Sequence, residues 1–196
     1  MTRRAILSVV GFIATSIFLW WLLFVAVPRW FRGGVAPAAP AGAPAPVAGA
    51  QPRITATLFF ISEDGMALAP VQREVPFAEP AVEQARQVVE AQIARPAPPL
   101  ASAIPPETKL RAIYLSERGD LFVDLTAEVG TRHTGGALDE LFTVYAIVNS
   151  VTVTLPAISR VQILIDGKEV DTLAGHVDLR NPLSKNLAWV KSVNPS

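Results

Sequence analysis

Three groups of residues in this chain have the types and spacing that chemistry uses. The first is the stretch QILIDGKEVDTLAGHVDLRNPL, residues 162–183, which places Asp166, Asp171, His176 and Asp178 close together. His176 is one of two histidines in the chain. Asp171 and Asp178 with His176 between them could ligate zinc or a harder cation. The second is TRHTGGALDEL, where Arg132, His133, Gly135 and Gly136 precede an apolar run. If that run is a helix, its N-terminus could hold a phosphate or carboxylate. The third is the pair Asp120 and Asp124, the minimum equipment of a glycoside hydrolase.

Each group also has a structural reading, and that reading is the one expected here. Metal ligands need a rigid register, whereas TLAGH is a loop centred on Gly175. There the glycine supplies a turn, and His176 and Asp178 serve backbone groups as the last segment folds back. HTGG reads as a helix entry with Thr134 as cap, and Asp139 and Glu140 in the first turn would repel an anion. Asp120 and Asp124 flank a strand, which separates them by roughly 13 Å at 3.3 Å per residue, outside either glycosidase geometry. They read as a turn acid and a strand-end cap. The chain has no Gly-x-Ser-x-Gly, His-Glu-x-x-His, phosphate-loop or dinucleotide motif. No catalytic residue, metal ligand or cofactor is therefore assigned.

Composition narrows the classes further. There is no cysteine, so disulfides, thiolate metal sites, cysteine nucleophiles and a lipid-modified N-terminal cysteine are excluded. The formal charge is zero, but four arginines (Arg3, Arg4, Arg29, Arg32) lie before residue 53, which leaves 13 Lys/Arg against 17 Asp/Glu, a net of −4, in the remainder. An acidic domain is a poor ligand for a phosphate backbone, so nucleic acid is not expected as a partner.

The elements that must position these residues follow an N-terminal membrane module. Residues 5–27 carry no charge. As a helix they would span roughly 34 Å at 1.5 Å per residue, enough for a bilayer. The run exceeds a signal-peptide core, so an uncleaved single-pass anchor in residues 1–32 is expected, with Trp30 at the interface. The flanking arginines are too balanced to fix its orientation. Residues 33–52 are almost wholly Ala, Pro and Gly and form a tether that could stand off by roughly 60 Å at 3.1 Å per residue. Such a tether suits a domain on the extracytoplasmic, periplasmic side.

The expected folded domain covers residues 53–183, with a tail at 184–196. Strands are read at Ile54–Ser62 and along MALAPVQREVPF, with an irregularity at Pro70. A helix follows, with Pro80 at its first helical position and Val82, Ala85, Val89 and Ile93 on one face. TKLRAIYLS and LFVDLT form a hairpin turning near Gly119. A second helix over Ala137–Val151 has a ridge of Leu138, Leu141, Phe142, Tyr145 and Val148, widened by Val144, Ile147 and Val151. Asp139, Thr143 and Ser150 mark its expected wet side. RVQILIDGKEV is a strand closed by an Asp166-Gly167 turn. The order gives an α+β fold, a mixed β-sheet covered by two helices.

Thr143–Leu183 closely resembles the second half of the GerMN domain, above all in AIVNS (Ala146–Ser150), VQILIDG (Val161–Gly167) and AGHVDL (Ala174–Leu179). Ala56–Val75 and Leu121–Val129 resemble its earlier parts, and together the likeness covers about Ile54–Leu183. NSVTVTLP departs conservatively from the family, which more often has Asn-Thr-Leu-Thr and an aromatic before the proline. The resemblance implies a non-catalytic, outward-facing module of the kind found in sporulation and germination proteins and, tethered to membranes, in bacteria that make no spores. Related modules assemble by lateral packing. The expected partners are the membrane, through the N-terminal helix, and a protein partner or a second copy. Contact is expected through the helix Ala137–Val151 or an open sheet edge, unless Pro96–Pro106 covers that helix. A small-ligand sensor using the Arg132–Gly136 loop is the alternative.

Overall fold

The computed structural model describes residues 19–21, 51–133 and 135–191. The chain divides into two compact units, Met1–Gly49 and Ala50–Ser196. In the first, residues 19–21 are helical and exposed. The expected anchor at residues 5–27 otherwise lies outside the described residues, and so does the 33–52 tether. Among the described residues no helix is long and apolar enough to cross a membrane.

The second unit runs β1 (Arg53–Ile61), β2 (Leu68–Pro76), α1 (Ala81–Ile93), β3 (Leu110–Leu115), β4 (Asp120–Leu125), α2 (Glu128–Thr131), α3 (Ala137–Thr154), β5 (Arg160–Ile165), β6 (Lys168–Glu169) and β7 (Leu183–Ser184). The α+β class and the mixed pairing hold. The single sheet does not, because the strands form two. β1 and β2 make an antiparallel ribbon, and β3-β4-β5-β6 make a second sheet to which β7 adds through β5. β4 and β5 are parallel, joined by a crossover that contains α2 and α3, and the other pairs are antiparallel. The Asp166-Gly167 turn lies where expected, both residues at positive φ (50° and 77°), as a two-residue hairpin requires.

The ribbon stands apart because α1 closes the free edge of β1. The fully buried Gln92 amide accepts the Phe59 N–H and donates to the Phe59 carbonyl, each at 2.8 Å. It replaces the peptide unit of a neighbouring strand. Thr154 Oγ1 accepts the Thr57 N–H, and the Ala101 carbonyl accepts that of Ile61. Two turns nearer the start of α1, Gln84 does the same for the chain leaving β2, accepting from Ala78 N and donating to Pro76 O. Thus the buried stripe of α1 is Gln84, Ala85, Val88, Val89 and Gln92, while the expected Val82 and Ile93 are half-buried. Pro80, expected as the first helical residue, is instead the N-cap just before it.

Alternation along β1 sends Ala56, Leu58 and Phe60 into the main core with α1, α3 and the larger sheet. Phe59 points the other way, into a smaller cluster with Leu68, Phe142 and Ala146. Helix α3 therefore serves two cores. Thr143 and Ser150, expected on a wet side, are fully buried. Their hydroxyls bond carbonyls of their own helix, Ser150 that of Ile147 and Thr143 that of Asp139, and Thr143 also bonds the Ala103 carbonyl of the Pro-rich segment. Small hydroxyl residues on a helix can back-bond in this way, so they do not mark solvent. The Pro-rich segment reaches the helix through Ala103, which packs on the smaller cluster.

Replacing Gln92 with Leu keeps the volume and leaves the Phe59 N–H and C=O buried without partners. Each orphaned group costs about 1–3 kcal/mol, so a loss of about 3 kcal/mol is expected in urea unfolding of the variant. A loss below about 1 kcal/mol would mean that the edge does not depend on this amide.

Candidate functional site

The His176 loop is organised by a residue that the sequence reading assigned to a helix dipole. Glu140 lies one turn into α3, in line with Val144, Ile147 and Val151, and its side chain is fully buried. Its Oε1 accepts the Leu173 N–H at 2.8 Å, and its Oε2 accepts the His176 N–H at 2.8 Å. Burial pushes this carboxyl up, but backbone N–H groups of Ala174, His176, Leu173 and Val177 outweigh it and hold it below its ordinary value. The loop therefore wraps its amides around one internal anion. His176 Nδ1 lies 3.0 Å from Oε2 at the rim, with the ring 43% exposed. Gly175, at φ 101°, makes the reversal that aims the amides inward.

The trio of Asp171, His176 and Asp178, weighed against a structural role in the sequence, is not assembled as a ligand set. Asp178 faces Arg180, whose guanidinium and backbone N–H hold it at about 2. Asp171 contributes its carbonyl to the Leu179 N–H. Asp166 lies in the β5–β6 turn, 3.5 Å from Arg111. Among the described residues no group of three or more His, Cys, Asp or Glu could hold a metal ion.

Asp120 and Asp124 are both buried, and both bind neighbours across the larger sheet. Asp120 takes a bidentate pair from Arg160, its register partner on β5, at 2.7 and 2.9 Å. Asp124 accepts Arg111 Nη1 and the Gly167 N–H, each at 2.8 Å, which ties the β6 turn to β4. They act as strand clamps, more extensive than the turn acid and end cap expected.

The Arg132–Gly136 loop borders a cleft of ≈190 Å³ with Ser102, Ile104, Pro106 and Asp139. His133 Nδ1 accepts the Gly135 N–H at 3.1 Å, which leaves Nε2 to donate to Thr143 Oγ1 at 3.1 Å. Thr143 donates in turn to the Ala103 carbonyl at 2.6 Å. His133 thus fastens the loop, through α3, to the Pro-rich segment. Arg132 is exposed at the mouth. Thr134, the expected cap, lies outside the described residues, and Gly136 holds the N-cap position with no side-chain cap bond.

The sequence reading missed Glu140, Gln92 and Asn149. Glu140 carried a signal, since its spacing of four, seven and eleven to Val144, Ile147 and Val151 puts it on a buried face. Gln92 and Asn149 carried none, because an amide inside a helix looks the same whether it meets water or a strand edge.

Against known proteins, a family model described as Germane, sporulation and spore germination, matches residues 57–171. No curated protein matches. Four solved chains do. One is the 2.5 Å crystal structure of a candidate lipoprotein from Clostridium perfringens, 25% identical, with a TM-score of 0.50, covering 68% of this chain and 88% of its own. Another is the tandem GerMN domains of the sporulation protein GerM from Bacillus subtilis, 18% identical with a TM-score of 0.56, where the match covers 68% of this chain and 46% of that one.

Two outcomes are expected. The folded-state carboxyl of Glu140 sits below its unfolded value of about 4.3, so its stabilisation is complete above that pH and is lost as pH falls through the depressed value. Glu140→Gln should lower unfolding free energy at pH 7 by about 2 kcal/mol or more, with a smaller difference from wild type at pH about 3. A gap that widens on acidification would contradict the nest. Separately, His176→Ala should cost about 1 kcal/mol in thermal unfolding, and a chelator should leave the wild-type melting temperature unchanged. A chelator-sensitive transition with stoichiometric metal would reverse the structural reading of His176.

Proposed function

The chain belongs to the Germane family of sporulation and spore germination, and on that premise we propose that it is a non-catalytic interaction module, displayed outside a membrane by an N-terminal anchor and a Pro/Ala tether. The carrying observation is where the acids are spent. Asp120, Asp124, Glu140 and Asp178 all take their donors from within the domain. Carboxylates committed to clamps and a nest are poor general acids or nucleophiles, since proton transfer needs an acid free to reach substrate. The uncharged run at 5–27 and the tether at 33–52 support display from a membrane. Similarity to a candidate lipoprotein supports the same side of it. The domain's partner is then another envelope protein or a second copy, held at one height and at raised effective concentration.

One observation favours a second reading, a small-ligand sensor. The cleft beside Arg132 has one cation and a backbone loop fixed by His133. Asp139 on its wall would disfavour a strong anion.

The test uses the full chain in native membranes. The protein should remain in the membrane fraction, and protease added from the non-cytoplasmic side should cut between residues 33 and 52. An amine-reactive crosslinker should capture lateral neighbours. Release of a soluble form starting near residue 28 would remove the anchor. Absence of any crosslinked neighbour, together with a small acidic ligand that raises the melting temperature, would favour the sensor.

A further inference from the structure

Residues 184–191 follow the family match, which ends at 171, and a short set of contacts holds them to the domain. The fully buried Asn149 amide donates to the Asn186 carbonyl at 2.7 Å and accepts the Asn186 N–H at 2.9 Å. Further on, the segment adds in parallel to the outer edge of β2. Leu68 N donates to the Trp189 carbonyl, and Lys191 N donates to the Leu68 carbonyl, both at 2.8 Å. Val190 enters the smaller core cluster, and Lys191 Nζ lies 3.7 Å from the Asp64 carboxylate. Leu187 and Trp189 remain 46% and 43% exposed. A groove of ≈490 Å³ lined by Phe59, Pro70, Val153, Leu187 and Val190 runs beside the seat.

The seat has a defined end. Leu68 turns both its N–H and its C=O outward, so two residues on, Pro70 faces the same edge with no N–H to offer. The seat therefore recognises a short extended peptide by four features: a backbone amide pair for Asn149, one strand pairing at Leu68, an aliphatic side chain and a following cation beside Asp64.

We propose that this seat exchanges tails between copies, the groove between β2 and α3 binding residues 185–191 of a second copy in place of its own. The second copy is the fitting occupant because it carries the same peptide by construction. Exchange recreates every contact of the seat, so its cost is limited to opening and association. Opening releases two backbone pairings, the pair at the buried Asn149 amide, an exposed ion pair and the packing of Val190 on the smaller cluster, a short set of contacts confined to one end of the chain. β7 stays fixed to β5, so the pivot follows Ser184. The seven residues beyond it reach roughly 24 Å when extended, enough to enter an adjoining groove. The concentration that favours exchange rests on the tethered interaction reading above.

The absence of cysteine allows a direct test on the full chain. One population carries Asp64→Cys and another Lys191→Cys, both at exposed positions, mixed in phosphatidylcholine vesicles and treated with a short bismaleimide. Crosslinked dimer is expected several-fold above a control that pairs Lys191→Cys with Glu117→Cys in the β3–β4 turn, rising with surface density. A chain with both cysteines crosslinks internally when dilute. The proposal is overturned if the mixture stays at the control level at every density while the double variant closes on itself. If an amine-reactive reagent still captures dimers in that case, the interaction module stands and the exchange alone falls.

Discussion

The fold rests on the need to satisfy the backbone of a two-stranded ribbon that is buried along one face and at the Phe59–Leu68 end of the other. Such a ribbon has two open edges, and buried N–H and C=O groups need partners. A third strand would be the ordinary solution. Here the partner on the β1 side is a helix, and the Gln92 amide presents one donor and one acceptor at the spacing of a peptide. That substitution lets α1 and α3 pack closely against the ribbon while the larger sheet stays separate. The same device recurs with Gln84 at the end of β2, with Asn149 on the tail, and with Gln162, which binds the Leu179 carbonyl beside β5. Side-chain amides close edges throughout this domain.

Glu140 solves a related problem with charge. The loop after β6 has no ladder to join, so its amides converge on a carboxylate supplied by α3. An internal anion collects several donors at once, and charged acceptors bind more strongly than neutral ones. The loop thus becomes part of the core while its histidine stays at the surface. Asp120 and Asp124 extend the pattern across the larger sheet, where each fixes the register of β5 or β6 against β4.

How much of this was readable follows from what kind of information each feature uses. β1, the β3–β4 hairpin, the Asp166-Gly167 turn and the apolar helix α3 come from local periodicity and turn chemistry, and they were legible. The division into two sheets was not, because it depends on a glutamine meeting a strand 33 residues away in sequence. The wet side assigned to Thr143 and Ser150 failed because residue type was taken for environment, and hydroxyls can bond their own helix. His176 lies in a returning loop, but its ring meets the Glu140 carboxylate and not the backbone groups expected, a partner overlooked because an acid in a helix's first turn has a ready local explanation. The Arg132–Gly136 loop was legible as a helix entry, while its fastening through His133 and Thr143 to Ala103 is purely tertiary.

Pro70 has a consequence for assembly symmetry. A strand edge with a full set of donors can template addition without limit, which is the route to fibres. On β2 the outward edge offers one complete residue at Leu68 and then a position without a donor. An added peptide gains one complete rung at Leu68 before the donor ladder is broken at Pro70. Contacts made through this edge are therefore blunted rather than continuous. The proline acts as a chain terminator for growth, and a crowded array of these domains can meet edge to edge without setting into a continuous sheet.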